Sequence, residues 1–468
     1  MWIQNFTFNQ SMKLIIAYLV SVAFAQQNID VTSKSAILTA AKAAVWPLRM
    51  FFDDNNEGNG AWIEQYSDSQ WNVQWHETGE YWELFYKYML YSGDTSYLSW
   101  VDAQMQISAG GFGDFLDGNN PLLEEAGRWN DDIGWWGIAT MAATEAFGKD
   151  AIVAKENLQP GVNPKYFDLS NNTFYEIWMG WDDKTCNGGI FWSRSRSTGT
   201  DAQKYYKSTI TNVEEMELGA RLYALTGISY YKDRVDQIYA WLQSTGLLTS
   251  DYIVYDGLDS RTCQTSPQIY SYHSGCLLAA LSFMYKATND AHYITEAHKL
   301  FVSIKKQFVD PTNGTLSIEP SCQARACRSP SGYSWPLYKG LADLYAYSND
   351  ASVKASVADV MGKTGAANFA GCDANWYCIR NLPAGTQFTL QNGTNVRDQF
   401  ETVSILNALA VINGAPVPQA LGPQGVSVPV ISASNGPTGA GSSAAKSGAI
   451  SARTSGNALL FFIFFLFV

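Results

Sequence analysis

Residues 129–137 read WNDDIGWWG, two adjacent carboxylates, Asp131 and Asp132, set among three tryptophans and two glycines. Cleavage of a glycosidic bond needs two carboxyl groups, one protonated to help the leaving oxygen depart and one ionised to attack the anomeric carbon or activate water. Neighbouring residues at a helix start diverge by about 100°. That suits the separation of about 5 to 5.5 Å used by retaining enzymes better than the gap of about 6.5 to 9.5 Å that admits water in inverting ones. Burial beside Trp135 and Trp136 would raise one pKa, and mutual repulsion would push the two apart. A plainer account stands beside this one, in which one Asp caps a helix and the other favours its dipole.

Other carboxylate pairs compete. Asp182 and Asp183 open WDDKTCNGGIFWSR (181–194), which reads as a substrate-lining loop. Asp53-Asp54 sits in a polar run without the ligand period of a calcium loop. Glu124-Glu125 and Glu214-Glu215 read as ordinary helical surface. Tryptophan is abundant at 16 residues, and Trp62, Trp71, Trp75, Trp129, Trp181, Trp192 and Trp335 lie beside Asp, Asn, Gly and Gln. Flat apolar rings flanked by amides and carboxylates suit the C–H faces and hydroxyl rim of a sugar. No GxSxG elbow or nucleotide loop occurs, and His76, His273, His292 and His298 show no partner pattern. No cofactor and no metal ligand set is expected. With 31 Lys plus Arg against 43 Asp plus Glu and no basic run, nucleic acid is not a partner.

The elements that must hold these residues are helical. Val31–Val45, Glu80–Leu90, Tyr97–Ile107, Ile133–Phe147, Glu214–Leu225, Tyr230–Leu242, Gly275–Tyr285, Tyr293–Phe308, Gly340–Tyr347 and Gln399–Leu409 carry apolar residues at helical spacing. Residues 86–104, 220–242 and 281–301 repeat one form, a helix, a small turn with Thr plus Gly or Asn, and a second helix. Such hairpins over a chain without an internal linker predict an all-α ring or stack; two helical domains are the alternative.

Both ends carry other signals. Residues 1–25 read as a secretory signal, with Met12 as an alternative start. Residues 26–415 form the folded domain and 416–448 a Gly/Ser/Ala/Pro spacer. Residues 449–468 end in an apolar run too short to span a bilayer, the pattern of a removed glycosylphosphatidylinositol (GPI) signal. The expected location is secreted and GPI-anchored, at the outer plasma membrane or cell wall. Cys263/Cys276, Cys322/Cys327 and Cys372/Cys378 are expected as local disulfides, leaving Cys186 free or buried. Asn171, Asn313 and Asn392 head glycosylation sequons expected on the surface.

DDIGWWGIA (131–139), CNGGIFWSR (186–194) and the two end signals resemble glycoside hydrolase family 76, specifically its fungal GPI-anchored mannan endo-1,6-alpha-mannosidases of the Dfg5 and Dcw1 type. The resemblance covers about residues 30–410 and implies an (α/α)6 barrel of helical hairpins with a retaining mechanism. It implies Asp131 as nucleophile, Asp132 as acid/base, and Asn130, Trp135, Trp136, Gly188, Gly189 and Trp192 beside the cleft. The implied substrates are alpha-1,6-mannan or the mannose core of a GPI glycan as donor, with beta-glucan as acceptor in wall crosslinking, and the enzyme is expected as a monomer tied to the membrane through its anchor. A purely hydrolytic enzyme and an inactive carbohydrate-binding wall protein are the alternatives.

Overall fold

The structure is a computed structural model and describes residues 27–54, 62, 73–110, 113–116, 129–153, 164–197, 199–316, 331–379 and 395–418. Both end signals, Trp71, Glu124-Glu125, Cys322, Cys327 and Asn392 lie outside these residues.

Among the described residues, six helices are buried nearly all round: α2 (Trp75–Ser92), α4 (Asn130–Phe147), α6 (Thr209–Thr226), α8 (Ser271–Thr288), α10 (Ser331–Tyr347) and α12 (Val396–Ile412). Six others alternate with them along the chain: α1 (Lys34–Arg49), α3 (Leu98–Ser108), α5 (Tyr166–Trp178), α7 (Ser229–Ser244), α9 (Ala291–Phe308) and α11 (Ala351–Phe369). Each buried helix packs on the next, and α12 packs back on α2, so the inner ring closes. The alternating helices lie outside it, α1 on α12, α3 on α2, α5 on α4, α7 on α6, α9 on α8 and α11 on α10 and α12. This is the expected (α/α)6 barrel. The inner helices have no solvent face, so their polar residues have nowhere to point but inward or at a neighbour.

The recurrent turns have a physical basis. Gly93, Gly227 and Asn289 end α2, α6 and α8 in the left-handed region, with φ of 75°, 69° and 57°. Each returns its N–H to a carbonyl four residues earlier, and few other residue types adopt that backbone cheaply.

Two helices lack a matching expectation. In α5 the run Ser170-Asn171-Asn172-Thr173 breaks the apolar stripe, yet Ser170 and Thr173 bury their hydroxyls against the carbonyls of Tyr166 and Leu169. The small-residue helix α11 starts where Asp350 accepts from the N–H groups of Ser352 and Val353. A three-stranded antiparallel sheet adds β1 (Tyr206–Ser208), β2 (Gly257–Asp259) and β3 (Gln264–Ser266), with Tyr206 opposite Asp259 and Gly257 opposite Ser266.

The cysteine expectation is partly corrected. Cys372 pairs with Cys378 as expected. Cys186 pairs with Cys263, 77 residues away, and Cys276 is free and buried on α8. The reason is topological: Cys276 points into the ring, whereas Cys263 lies in the β2–β3 turn beside the 182–189 loop. The sequon at Asn171 lies on a half-buried helix face. Asn171 lies on α5 and accepts the Tyr231 hydroxyl at 2.6 Å, and Thr173 is fully buried. Asn313 is exposed.

A buried ionic cluster fills the ring. Arg221 on α6 reaches Glu145 at 2.8 Å, Glu83 at 3.0 Å and Glu217 at 2.9 Å. Lys339 on α10 bonds Glu217 at 2.7 Å and Glu83 at 3.0 Å, and Lys87 bonds Glu145 at 2.8 Å. Each acid has a cation, and each cation at least one acid. At one end of the ring Arg397 on α12 grips Glu77 on α2 through two bonds of 2.9 Å, which ties the first and last inner helices.

Candidate active site

Asp131 and Asp132 occupy the first turn of α4, but neither caps it. The N-cap is Trp129, in extended conformation and without a side-chain bond. What fixes this turn is the segment 190–194. Asn130 receives the role of anchor: its N–H donates to Trp192 O at 2.9 Å, its Nδ2 to Phe191 O at 2.7 Å, and its Oδ1 accepts from Arg194 at 3.0 Å. Trp192 then stacks on Trp129 with ring centroids 3.9 Å apart and donates its Nε1–H to Asp131 Oδ2 at 3.0 Å.

The other oxygen of Asp131, Oδ1, is buried with no partner among the described residues. Burial raises the Asp131 carboxyl to about 7, although the Trp192 bond and the first-turn N–H groups pull it down; the charge of Asp256 adds to the rise. Asp132 is 8% exposed, with Oδ1 3.5 Å from His76 Nδ1. Burial pulls His76 below its usual value, so that contact is polar rather than ionic at neutral pH. Asp256 accepts the Tyr206 hydroxyl and lies 3.5 Å from His273 Nε2, and Tyr206 packs edge-on to Trp192.

Behind the pair stands a third acid that the sequence reading placed on the surface. Glu214 and Glu215 on α6 are fully buried, and all four of their carboxyl oxygens lack partners among the described residues. Burial pushes both well above the carboxylate range; for Glu214, the charges of Asp131, Glu80 and Asp132 push in the same direction. Glu214 Oε2 sits where a Cβ at position 134 would stand, which explains Gly134 beside the acidic pair in α4. The available signal was that Glu214 and Glu215 lie in TITNVEEMELGARLYALT, a helix with no polar face to spare.

Other predicted lining residues prove to be scaffold. Trp135 and Trp136 are buried; Trp136 stacks on Trp75 at 4.9 Å and donates to Trp75 O at 3.2 Å. These three form packing behind the turn, because α4 is enclosed on all sides. Trp335 is likewise an inner-ring residue and donates to Glu83 at 2.8 Å. Trp62 is fully buried, and Trp181 stacks on Trp178 at 4.9 Å.

Asp182 shapes its loop: it accepts from Thr185 and pairs at 3.0 Å with Lys207, whose buried ammonium also bonds the carbonyls of Asp182, Thr185 and Gly188. Asp183 is exposed. Gly188 and Gly189, with φ of 130° and 98°, let Trp241 pack on the loop where any side chain would collide. Of the GGIFW stretch, Trp192 alone is seen to touch the pair. A pocket of ≈ 300 Å³ lined by Asn130, Glu176, Met179, Trp181, Arg194 and Arg196 adjoins the clamp. Its Glu176 already pairs with Arg194 at 2.9 Å and its Asp182 with Lys207, so it offers no spare acid for chemistry.

Two kinds of comparison bear on this arrangement. The curated relatives include the mannan endo-1,6-alpha-mannosidase DCW1 of Candida albicans, 27% identical over 54% of this chain and 54% of its own. The enzyme of the same name from Saccharomyces cerevisiae is 27% identical over 65% of each. The chain thus matches between about half and two thirds of the length of these relatives. Among solved structures, Dfg5 from Chaetomium thermophilum, in complex with glucosamine, superposes with a TM-score of 0.68 at 21% identity, covering 86% of this chain and 96% of that one. The GH76A alpha-1,6-mannanase from Salegentibacter sp. HEL1_6 gives 0.62 at 16% identity over 80% and 99%. These likenesses carry the fold. The family model for glycosyl hydrolase family 76 matches residues 36–420, and the chain belongs to that family.

Proposed function

We propose that the chain is a retaining alpha-1,6-mannosidase and transglycosylase acting on mannan or on the mannose core of GPI glycans. The observation that carries this reading is the first turn of α4: two adjacent acids on an inner helix, Asp131 held by the Trp192 N–H at 3.0 Å and Asp132 beside it, with no cation among the described residues bonded to Asp131. A Salegentibacter alpha-1,6-mannanase with two consecutive aspartates changed to asparagine is described as inactive and in complex with alpha-1,6-mannotriose, which supports a paired-aspartate role here.

The pair works with one proton between its two members. Ionised Asp131 attacks the anomeric carbon while Asp132 gives its proton to the departing oxygen, leaving a glycosyl ester on Asp131. Asp132, now ionised, takes a proton from the incoming hydroxyl as that oxygen displaces Asp131. If the hydroxyl belongs to water the result is hydrolysis; if it belongs to a beta-glucan chain the result is transfer. Secretion, GPI anchoring at the plasma membrane or wall, and a monomeric state complete the proposal.

One observation favours exchanged roles: a carboxyl raised to about 7 is suited to donating the proton. The sign of the pH profile separates the two. With Asp131 as nucleophile, kcat/KM falls as pH drops through about 7; with Asp131 as acid, it falls as pH rises through about 7. The test of function is turnover of alpha-1,6-mannooligosaccharides with and without a beta-glucan acceptor, by the wild type and Asp131→Asn. Turnover lost in the folded variant supports the proposal; full activity in the variant, or none in the wild type, refutes it. Sugar binding without turnover would establish a carbohydrate-binding wall protein instead.

A further inference from the structure

Glu214 and Asp131 present complementary orphans. Asp131 Oδ1 is a buried acceptor with no donor, and Glu214 is a fully enclosed carboxyl whose two oxygens bond nothing among the described residues. They lie on neighbouring inner helices, α6 and α4, and Glu214 Oε2 presses on Gly134 in the same first turn that carries Asp131. The charged or titratable groups acting on Glu214 are Asp131 and Asp132 from α4, Glu80 from α2 and Glu217 from its own helix; Cys276 on α8 also feels it. Among these no cation bonds it, in contrast to Glu217, which holds both Arg221 and Lys339.

Such a carboxyl is stable only as the neutral acid, because an ionised one would sit desolvated among like charges. As the acid it carries one O–H donor. We infer that Glu214 is a positioning residue of the catalytic pair, a permanently protonated carboxyl beneath Asp131 that donates a hydrogen bond to Asp131 when that group is ionised. The bond forms as Asp131 gives up its proton and is lost when Asp131 bonds to the sugar; Glu214 itself neither gains nor loses a proton. It thereby favours the anion at Asp131, offsetting part of the burial that holds this carboxyl up.

The inference rests on the proposed glycosidase activity, and its test is chosen so that the two can fail separately. The kcat/KM of wild type, Glu214→Gln and Glu214→Met is measured on an alpha-1,6-mannooligosaccharide across pH 4 to 9. Gln keeps a neutral donor, so the limb that titrates near 7 stays in place. Met keeps the shape and loses the donor, so the same limb moves up by about one unit, the shift that loss of a hydrogen bond to a charged group brings. At a pH two units below the limb this is about a tenfold loss with Asp131 as nucleophile, regained above it.

A purely structural role would lower activity at every pH and leave the limb unmoved, which overturns the inference. A downward move in Glu214→Gln also overturns it, since that would mean a charge had been removed. Should the Met variant not fold, Glu214→Leu gives the same reading. A wild type inactive at every pH refutes the proposed function itself.

Discussion

Acids in the middle of the ring and acids at its catalytic turn are the same residue types under opposite influences. Glu145 is more fully enclosed than Asp131, yet Arg221 and Lys87 draw it down to about 2, while Asp131 stands at about 7. Burial alone pushes both upward. The difference is company: in the cluster each acid has a guanidinium or ammonium within 3.0 Å, whereas Asp131 has an indole N–H and Glu214 has no hydrogen-bond partner among the described residues. Paired acids hold the helices in place, and unpaired ones keep a proton available at neutral pH.

The contrast is sharpest if one charged residue is removed from each region. Asp131→Asn should cut turnover by about 10⁴- to 10⁶-fold, as loss of one member of a catalytic group does, with an unchanged circular dichroism spectrum. Arg221→Met should instead act on stability, costing about 3 to 5 kcal/mol by taking one buried cation from each of Glu83, Glu145 and Glu217, read as a lowered urea midpoint. Cys186→Ser should cost about 2 to 4 kcal/mol, because the bond to Cys263 closes a long loop. Cys276→Ala, with no disulfide to lose, should cost about 1 kcal/mol.

Trp192→Phe should move the limb near 7 up by about one unit, since it removes the donor to Asp131 Oδ2.

Stability carries a pH dependence of its own. With Asp131 at about 7 in the native state and an ordinary carboxyl when unfolded, the native state holds an extra proton between those values. Its contribution is complete at acid pH and is lost as pH rises through about 7. The Tm of Asp131→Asn relative to wild type should therefore climb between about pH 4 and 7 and level off above.

Much of this was legible in the sequence. The Gly and Asn turns at 93, 227 and 289 announced hairpins, and WNDDIGWWG marked the first turn of α4, where Asp131 and Asp132 stand together. Helical spacing does not say which helices form the inner ring, however. Glu214 and Glu215 therefore read as solvent-facing, and Trp75, Trp135, Trp136 and Trp335 as sugar platforms, although enclosure makes all of them interior. The Cys186–Cys263 bond was hidden because pairing by nearness in sequence ignores that Cys276 faces the ring. Asp182, Gly188 and Gly189 resembled lining because a loop-shaping residue and a ligand-binding one have the same composition; only Lys207 and Trp241 reveal the difference.

The central claim is a covalent bond between Asp131 and the sugar. Mass spectrometry of the protein after reaction with a mannose-configured, 2-fluoro glycosyl donor tests it directly. The account predicts one glycosyl adduct on the peptide carrying Asp131, absent in Asp131→Asn. An adduct on Asp132, or none from an enzyme that turns over mannan, would contradict it.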